Sequence, residues 1–467
     1  MFFLKKYIYK IFNIIFLFIF ALLLTKSALA GVYTAGTNGN YATIQLAIDD
    51  AILSPGSNEI HVRAGTYSEN IFIQSLSDIG TLNITGGWDS TFSTRDNDYT
   101  LTTINGGGTS RVFHISVEGG GSLDLTIDGF TLQDGFNSSY GSGINISVSG
   151  TGNTQITINN NRILSNVSSG SYSSRGGGIA AYMNTSGVAV LDITNNLIKD
   201  NSIASTADNC EGAGIALTVF QGAVFNITGN VIEDNTLTTD SYAEGAAIQI
   251  QKYGSGACDI SNNIVRNNSA VGTGDRNGIG GHIYITDSAT ITLSRNQWLN
   301  NVNSGGNACG DVYINTLGTS TVIIKDSLIA GAVDNGLDYS GQATSVISMT
   351  NLTITDNGGY GLTGSTPDIA SLYNTIIYNN GINYDTLPSD TGNNLIGSDP
   401  RFVDQEDDNY RLRPGSPAIN AGTNSPTGGL GSLDLDGNIR IMQSTVDIGA
   451  YEFKPACNPG VMLLLLN

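Results

Sequence analysis

Gly178-Ile-Ala-Ala-Tyr182, Val188-Ala-Val-Leu-Asp-Ile193 and, after Asn196, Leu197-Ile-Lys199 are three short apolar runs in close succession. Each is rich in aliphatic residues and short enough to be a strand. The same arrangement returns along the chain. An Asn or Asp followed by an apolar run recurs at Asp128, Asn161, Asn196, Asn230, Asn263, Asn296, Asp326, Asn351 and Asn374. The intervals are 33, 35, 34, 33, 33, 30, 25 and 23 residues. A period in this range marks a solenoid whose units bury their apolar faces on one another. Because the units are strand-like, the pattern predicts an all-β chain, a right-handed parallel β-helix with three strands per rung. Aligning the repeats puts Ile179, Ile215, Ile248, Ile283 and Val312 in one inward stack. Leu191, Phe225 and Cys258 form a second stack, with Ile193, Ile227 and Ile260 beside it. The recurring Asn residues fall at a corner, where stacked amides can hydrogen-bond along the ladder.

Composition agrees. Gly numbers 59 residues and charged residues make up only 13%. Gly and Asn tolerate the left-handed backbone of tight corners. One stretch is helical instead: Thr43-Ile-Gln-Leu-Ala-Ile-Asp-Asp-Ala-Ile-Leu53 puts Ile44, Ala47, Ile48, Ala51 and Ile52 on one face, with Thr43 able to cap its start. Such a helix is expected to cover the open end of the first coil and block edge-to-edge pairing. Rungs of 33–35 residues carry extra segments that the shorter rungs lack, at 167–175, 202–210, 236–243, 269–277 and 302–308. All fall at one corner, and they are expected to stack into a loop wall, either a binding edge or a mobile decoration.

The chain opens with Lys5, Lys6 and Lys10, an apolar run over 11–24 and then Ala28-Leu-Ala30. This reads as a secretory signal peptide over 1–30, cleaved after Ala30. An uncleaved anchor is the alternative, disfavoured because the run is short for a membrane span. Beyond residue 30 stand 16 basic and 40 acidic side chains, a net charge of −24. Phosphate backbones and anionic membranes would be repelled, which argues against nucleic acid as a partner. The acidic excess serves either Ca²⁺, whose ligands are oxygens, or solubility alone.

Tyr41-Ala-Thr-Ile-Gln45 through Val62-Arg-Ala-Gly-Thr-Tyr67, together with the coils, resembles the opening of right-handed parallel β-helix proteins. That superfamily includes pectate lyases, polygalacturonases, pectin methylesterases and many surface proteins. Asp399-Pro-Arg-Phe-Val-Asp404, Tyr410-Arg-Leu-Arg-Pro-Gly-Ser-Pro-Ala-Ile-Asn-Ala-Gly422, Asp434-Leu-Asp-Gly-Asn438 and Asp447-Ile-Gly-Ala-Tyr-Glu452 resemble the choice-of-anchor Q type of bacterial exported β-helix protein. The resemblance covers nearly the whole mature chain. It implies an exported or surface-attached protein and implies no reaction. The motifs of enzymatic relatives are missing or scattered. Of the polygalacturonase set only Gly281-His282 and Asp407-Asp408 occur, and Asp-Phe-Ile-Phe-Gly of pectin methylesterases is absent. A lyase-type cluster of Ca²⁺-binding carboxylates with a nearby Arg or Lys is too loose a pattern to exclude.

The repeats nominate two sets of residues. Arg175, Glu211 and Glu244 lie four positions before the inward Ile of successive first strands, so the two carboxylates are expected one strand spacing apart, about 4.8 Å. Carboxylates that close share a proton or hold a cation. Asp208 and Asp240 lie in the same loops. His282 and Asp311, each one position before an inward residue, are expected side by side, where the acid would orient the base. The bland alternative for both pairs is surface pairing, with Arg175 neutralising the acids. The second set, outward on the first strands, is Tyr182, Gln249, Gln251, Tyr284, Thr286, Tyr313 and Asn315. Aromatic faces with amides and hydroxyls suit a flat sugar-binding surface, although such residues also serve an ordinary solvated sheet. Asp434, Asp436 and Asn438 look like part of a Ca²⁺ loop, but Ile439 and Thr445 break the EF-hand pattern, so tying down the final coil is the alternative role. Cys258 should be a core thiol. Cys210 and Cys309 lie three rungs apart, about 14 Å, too far to bridge unless loops fold over, and Cys457 is in the tail.

The expected organisation is therefore a signal peptide at 1–30, a β-helix at 31–395, a C-terminal cap at 396–453 closing the other end, and a tail at 454–467 whose six apolar residues cannot span a bilayer. The preferred function is a non-catalytic, monomeric exported or surface protein that binds glycans or partner surfaces and requires no cofactor. The alternatives are a polysaccharide lyase or glycoside hydrolase working near Glu211, Glu244, His282 and Asp311, and a structural spacer of the envelope.

Overall fold

A computed structural model describes residues 30–170, 173–205, 209–305, 308–365 and 369–455. The segment before residue 30, where a signal peptide is expected, Asp208, Cys457 and the apolar tail lie outside the described residues. Three long sheets of 13, 12 and 11 strands wind around one core as a right-handed parallel β-helix. One rung reads Ile179–Thr185, Ala189–Thr194 and Leu197–Lys199, the three runs that opened the sequence reading. Each pairs in parallel with its equivalent in the next rung, as Ile179–Thr185 does with Ile215–Val219. A single apolar cluster runs from Ala35 to Ile377 down the inside. The helix spans Ile44–Ile52; the Thr43 side chain accepts from the Leu46 amide, and Glu69 accepts from the amides of Ile44 and Gln45, both at 3.0 Å. Its buried face of Ile44, Ala47, Ile48 and Ala51 joins the core at the first coil.

The recurring Asx residues divide into three kinds. Asn161, Asn196, Asn230, Asn263 and Asn296 form the expected amide ladder, each Nδ2 donating to the next Oδ1 at 3.0–3.2 Å. Asp128 is not in it: it pairs with Asn159 inside a strand. Asp326, Asn351 and Asn374 sit one position earlier, at φ 52–55°, where the chain takes its left-handed corner. A second ladder, five residues on, runs Asn166–Asn201–Asn235–Asn268–Asn301 with Nδ2-to-Oδ1 distances of 2.9–3.0 Å over its four steps.

One register differs from expectation. Ile283 pairs with Ile250, not Ile248; the residue between Ile248 and Val312 is Gly281. The vacancy left by the missing side chain is filled from across the core by Trp298, because a Cβ on Gly281 would meet its indole carbons at 2.9 Å. Trp298→Ala should therefore open a large cavity and cost about 3–5 kcal/mol, read as a fall in the thermal unfolding midpoint.

The described residues of the extra segments are largely strands. They build two further parallel sheets of six and five strands. Ile203, Leu237, Ala243, Ala246, Ala270 and Ile279 pack into a small core of their own between these strands. The result is an arm, an outward and returning strand in each of the long rungs, standing beside the 11-stranded sheet. At the other end, the 396–453 segment makes contacts along the flank of the last rungs. Its Arg440, Asp447, Gly449 and Thr423 meet Asp326, Asn351 and Asn374. The three corner residues thus act as pegs for the segment.

Candidate functional site

The groove lies between the arm and the outer face of the 11-stranded sheet. Register places Arg175, Glu211, Glu244 and Asn277 in one row along the arm, one residue per rung. Arg175 Nη2 donates to Glu211 Oε1 at 2.7 Å and Nη1 to Thr218 Oγ1 at 3.1 Å. Gln251 Nε2 lies 3.4 Å from Glu211 Oε2. Burial, aided by the charge of Glu244 and opposed by Arg175, pushes the Glu211 carboxyl up to about 7. Burial would raise Glu244 as well, but His282, joined by Arg175 and Gln249, outweighs it and holds the carboxyl below its ordinary value. His282 Nδ1 sits 3.2 Å from Glu244 Oε2, and the imidazole stacks on Tyr313 with ring centroids 5.3 Å apart.

The His282–Asp311 pair does not form. The two-residue register displacement at Gly281 sets His282 opposite Tyr313. Asp311 is instead buried at the foot of the second amide ladder, accepting from the Gly280 amide at 2.9 Å and Asn301 Nδ2 at 3.2 Å. Burial pushes its carboxyl up to about 7 despite these donors. Its role is to end the ladder where the arm stops.

Of the outward residues, Tyr182, Gln251, Tyr284, Tyr313 and Asn315 do face the groove; Gln251, Tyr284, Tyr313 and Asn315 line a cavity of about 270 Å³ together with Glu244, Tyr253, Asn277 and His282. Gln249 does not. It is fully buried beneath the arm, between Ala216 and His282, and its Oε1 has no hydrogen-bond partner. Two aromatic residues outside the outward set that the repeats nominate complete the opposite rim. Tyr182 meets Phe220 at 5.4 Å between centroids, Phe220 stacks on Tyr253 at 4.8 Å, and Tyr253 meets Tyr284 at 5.8 Å. The signal was there: Phe220 and Tyr253 each follow by five positions the inward Ile215 and Ile248. The groove thus has one aromatic wall and one charged wall, both running across successive rungs.

The 434–438 loop lies elsewhere, in the flank segment. Asp434 accepts from the amides of Asn438 and Glu452, and Asp436 forms an ion pair with Arg411. These carboxylates are engaged by protein donors, and among the described residues no group of three or more His, Cys, Asp or Glu is placed to hold a metal ion. Cys258 is a buried core thiol, whose pKa burial raises to about 11. Cys210 is packed in the arm's own core. Among the described residues no helix is long and apolar enough to cross a membrane.

No family model matches the chain. No curated protein matches it. Among solved structures, the crystal structure of pectate lyase Pel9A is similar at a TM-score of 0.46 and 14% identity, over 92% of this chain and 97% of that one.

Proposed function

We propose that this is an exported β-helix protein of the choice-of-anchor Q type, and that its groove binds a glycan chain lying along the solenoid axis. The aromatic strip Tyr182–Phe220–Tyr253–Tyr284 carries this reading. Sugar rings present apolar C–H faces that pack on aromatic rings, and their hydroxyls need amides and hydroxyls such as those of Gln251 and Asn315. A strip continued over several rungs suits a polymer better than a small solute. The leader over 1–30 supports export.

Tyr253→Ala should weaken glycan binding about tenfold, near 1.4 kcal/mol, while the exposed Tyr384→Ala, away from the groove, leaves it unchanged. Calorimetric titration of the full chain against a glycan panel reads both. Equal affinity for wild type and Tyr253→Ala would remove the strip from the account.

One observation favours a second reading, cleavage of the bound chain. Glu211 and Glu244 face each other across the ladder with one carboxyl pushed up to about 7 and the other held low. Neighbouring acids displaced in opposite directions suit an acid and a base. Shortening of a bound polysaccharide, lost in Glu244→Gln with affinity retained, would establish it.

A further inference from the structure

The groove changes character along its length. In the outward column of the first strands, Ala180 and Ala216 precede Gln249, His282 and Tyr313. Two methyl groups thus stand where later rungs carry an amide, an imidazole and a phenol. The floor drops there into a cavity of about 380 Å³, within the range of small-ligand pockets. Its walls are Arg111, Tyr140, Arg175, Tyr182, Ser147 and Thr218.

The two guanidiniums differ from the rest of this acidic surface. Arg111 donates its Nε to the Tyr140 carbonyl at 2.8 Å, and no carboxylate among the described residues lies within ion-pair range of it. Arg175 spends its two terminal nitrogens on Glu211 and Thr218, and its Nε is buried without a partner. Tyr140 and Tyr182 flank them, about half exposed at 44% and 46%. Forked donors beside aromatic faces match a ring that carries a planar or tetrahedral anion.

We infer that this cavity is an anionic subsite of the groove, taking a sugar residue that bears a carboxylate or sulfate, held by Arg111 and Arg175 without a bridging metal. The inference rests on the glycan-groove reading above. Arg175 is shared with Glu211, which is faced in turn by Glu244 and Gln251, with His282 behind Glu244. When Glu211 takes up its proton, with a carboxyl pushed up to about 7, the full charge of Arg175 turns to the ligand. Affinity for the charged glycan therefore rises as pH falls through that value.

The test titrates the full chain, in a chelator, with an oligouronate, the same oligomer after carboxyl reduction, and a sulfated oligosaccharide. An anionic oligomer is expected to bind at least about tenfold tighter than the reduced one, and Arg111→Gln to remove most of that difference. Arg175→Gln is the second variant, and should flatten the pH dependence. Preference for uronate or for sulfate names the anion. If charged and reduced oligomers bind equally and Tyr253→Ala still weakens both, the subsite falls and the groove stands. If none of the three binds, both fall.

Discussion

Asn235→Ala is expected to destabilise the middle of the solenoid by about 3–5 kcal/mol, more than an ordinary loss of a polar side chain. Asn235 is fully buried in the second ladder. Its Oδ1 accepts both the main-chain amide and the side-chain Nδ2 of Asn201 at 3.0 Å, and its own Nδ2 reaches the Ile198 carbonyl and Asn268 Oδ1. Truncation strands two buried donors and one carbonyl that water cannot reach, each at about 1–3 kcal/mol. Because each rung of a solenoid leans only on its neighbours, the damage should be local. Amide hydrogen exchange should speed up in the rungs of Asn201 and Asn268 first. Asn262→Ala, at the left-handed corner of the next rung but exposed, should cost far less. Equal losses for the two variants would mean that the ladder contributes little.

Arg440→Met is expected to release the 396–453 segment from the flank. Arg440 is buried against Asp326, with Nε and Nη2 on Oδ1 at 2.9 and 2.8 Å, and donates Nη1 to Glu452 at 3.0 Å. Removing the cation that bridges two buried carboxylates leaves them poorly compensated, at a cost of about 3–5 kcal/mol. Burial raises both Asp326 and Glu452 above their ordinary values, Glu452 to about 7. A carboxyl that holds its proton more tightly folded than unfolded contributes stability in acid, and that contribution is lost as pH rises through its folded pKa. The clamp of the wild type should therefore loosen as pH rises through 7, and the variant should be worst at about pH 9 and partly recovered at about pH 5. Limited proteolysis within 396–453 reads this directly. A variant as resistant as wild type at alkaline pH would show that the apolar contacts of Phe402, Tyr410 and Tyr451 hold the segment unaided.

The parts of the molecule legible in the sequence are those where one residue type repeats for one physical reason. Ile179, Ile215 and Ile248 stack because inward positions must be apolar, and Asn recurs at the corner because a buried amide both donates and accepts along the ladder. The capping helix is legible from its 3.6-residue stripe. The sequence misleads where a missing side chain carries the register. Gly281 leaves nothing to count, so alignment on the next aliphatic residue displaced Ile283 by two positions and brought His282 falsely beside Asp311. The arm was also illegible as strands, because Ser202–Ser205 and Thr236–Thr239 are short and polar, and pair only with their copies in neighbouring rungs. The row Arg175–Glu211–Glu244 was read correctly, since it is set by a fixed offset from the inward stack; that Glu244 answers to His282 depends on the displaced register.

The most direct test of the central claim is co-crystallisation or calorimetric titration of the mature chain with an extended glycan, alongside Tyr253→Ala. Saturable binding is expected, with the chain laid along Tyr182, Phe220, Tyr253 and Tyr284 and weakened about tenfold by the substitution. Binding that is indifferent to Tyr253, or a glycan seated on another face of the solenoid, would contradict it.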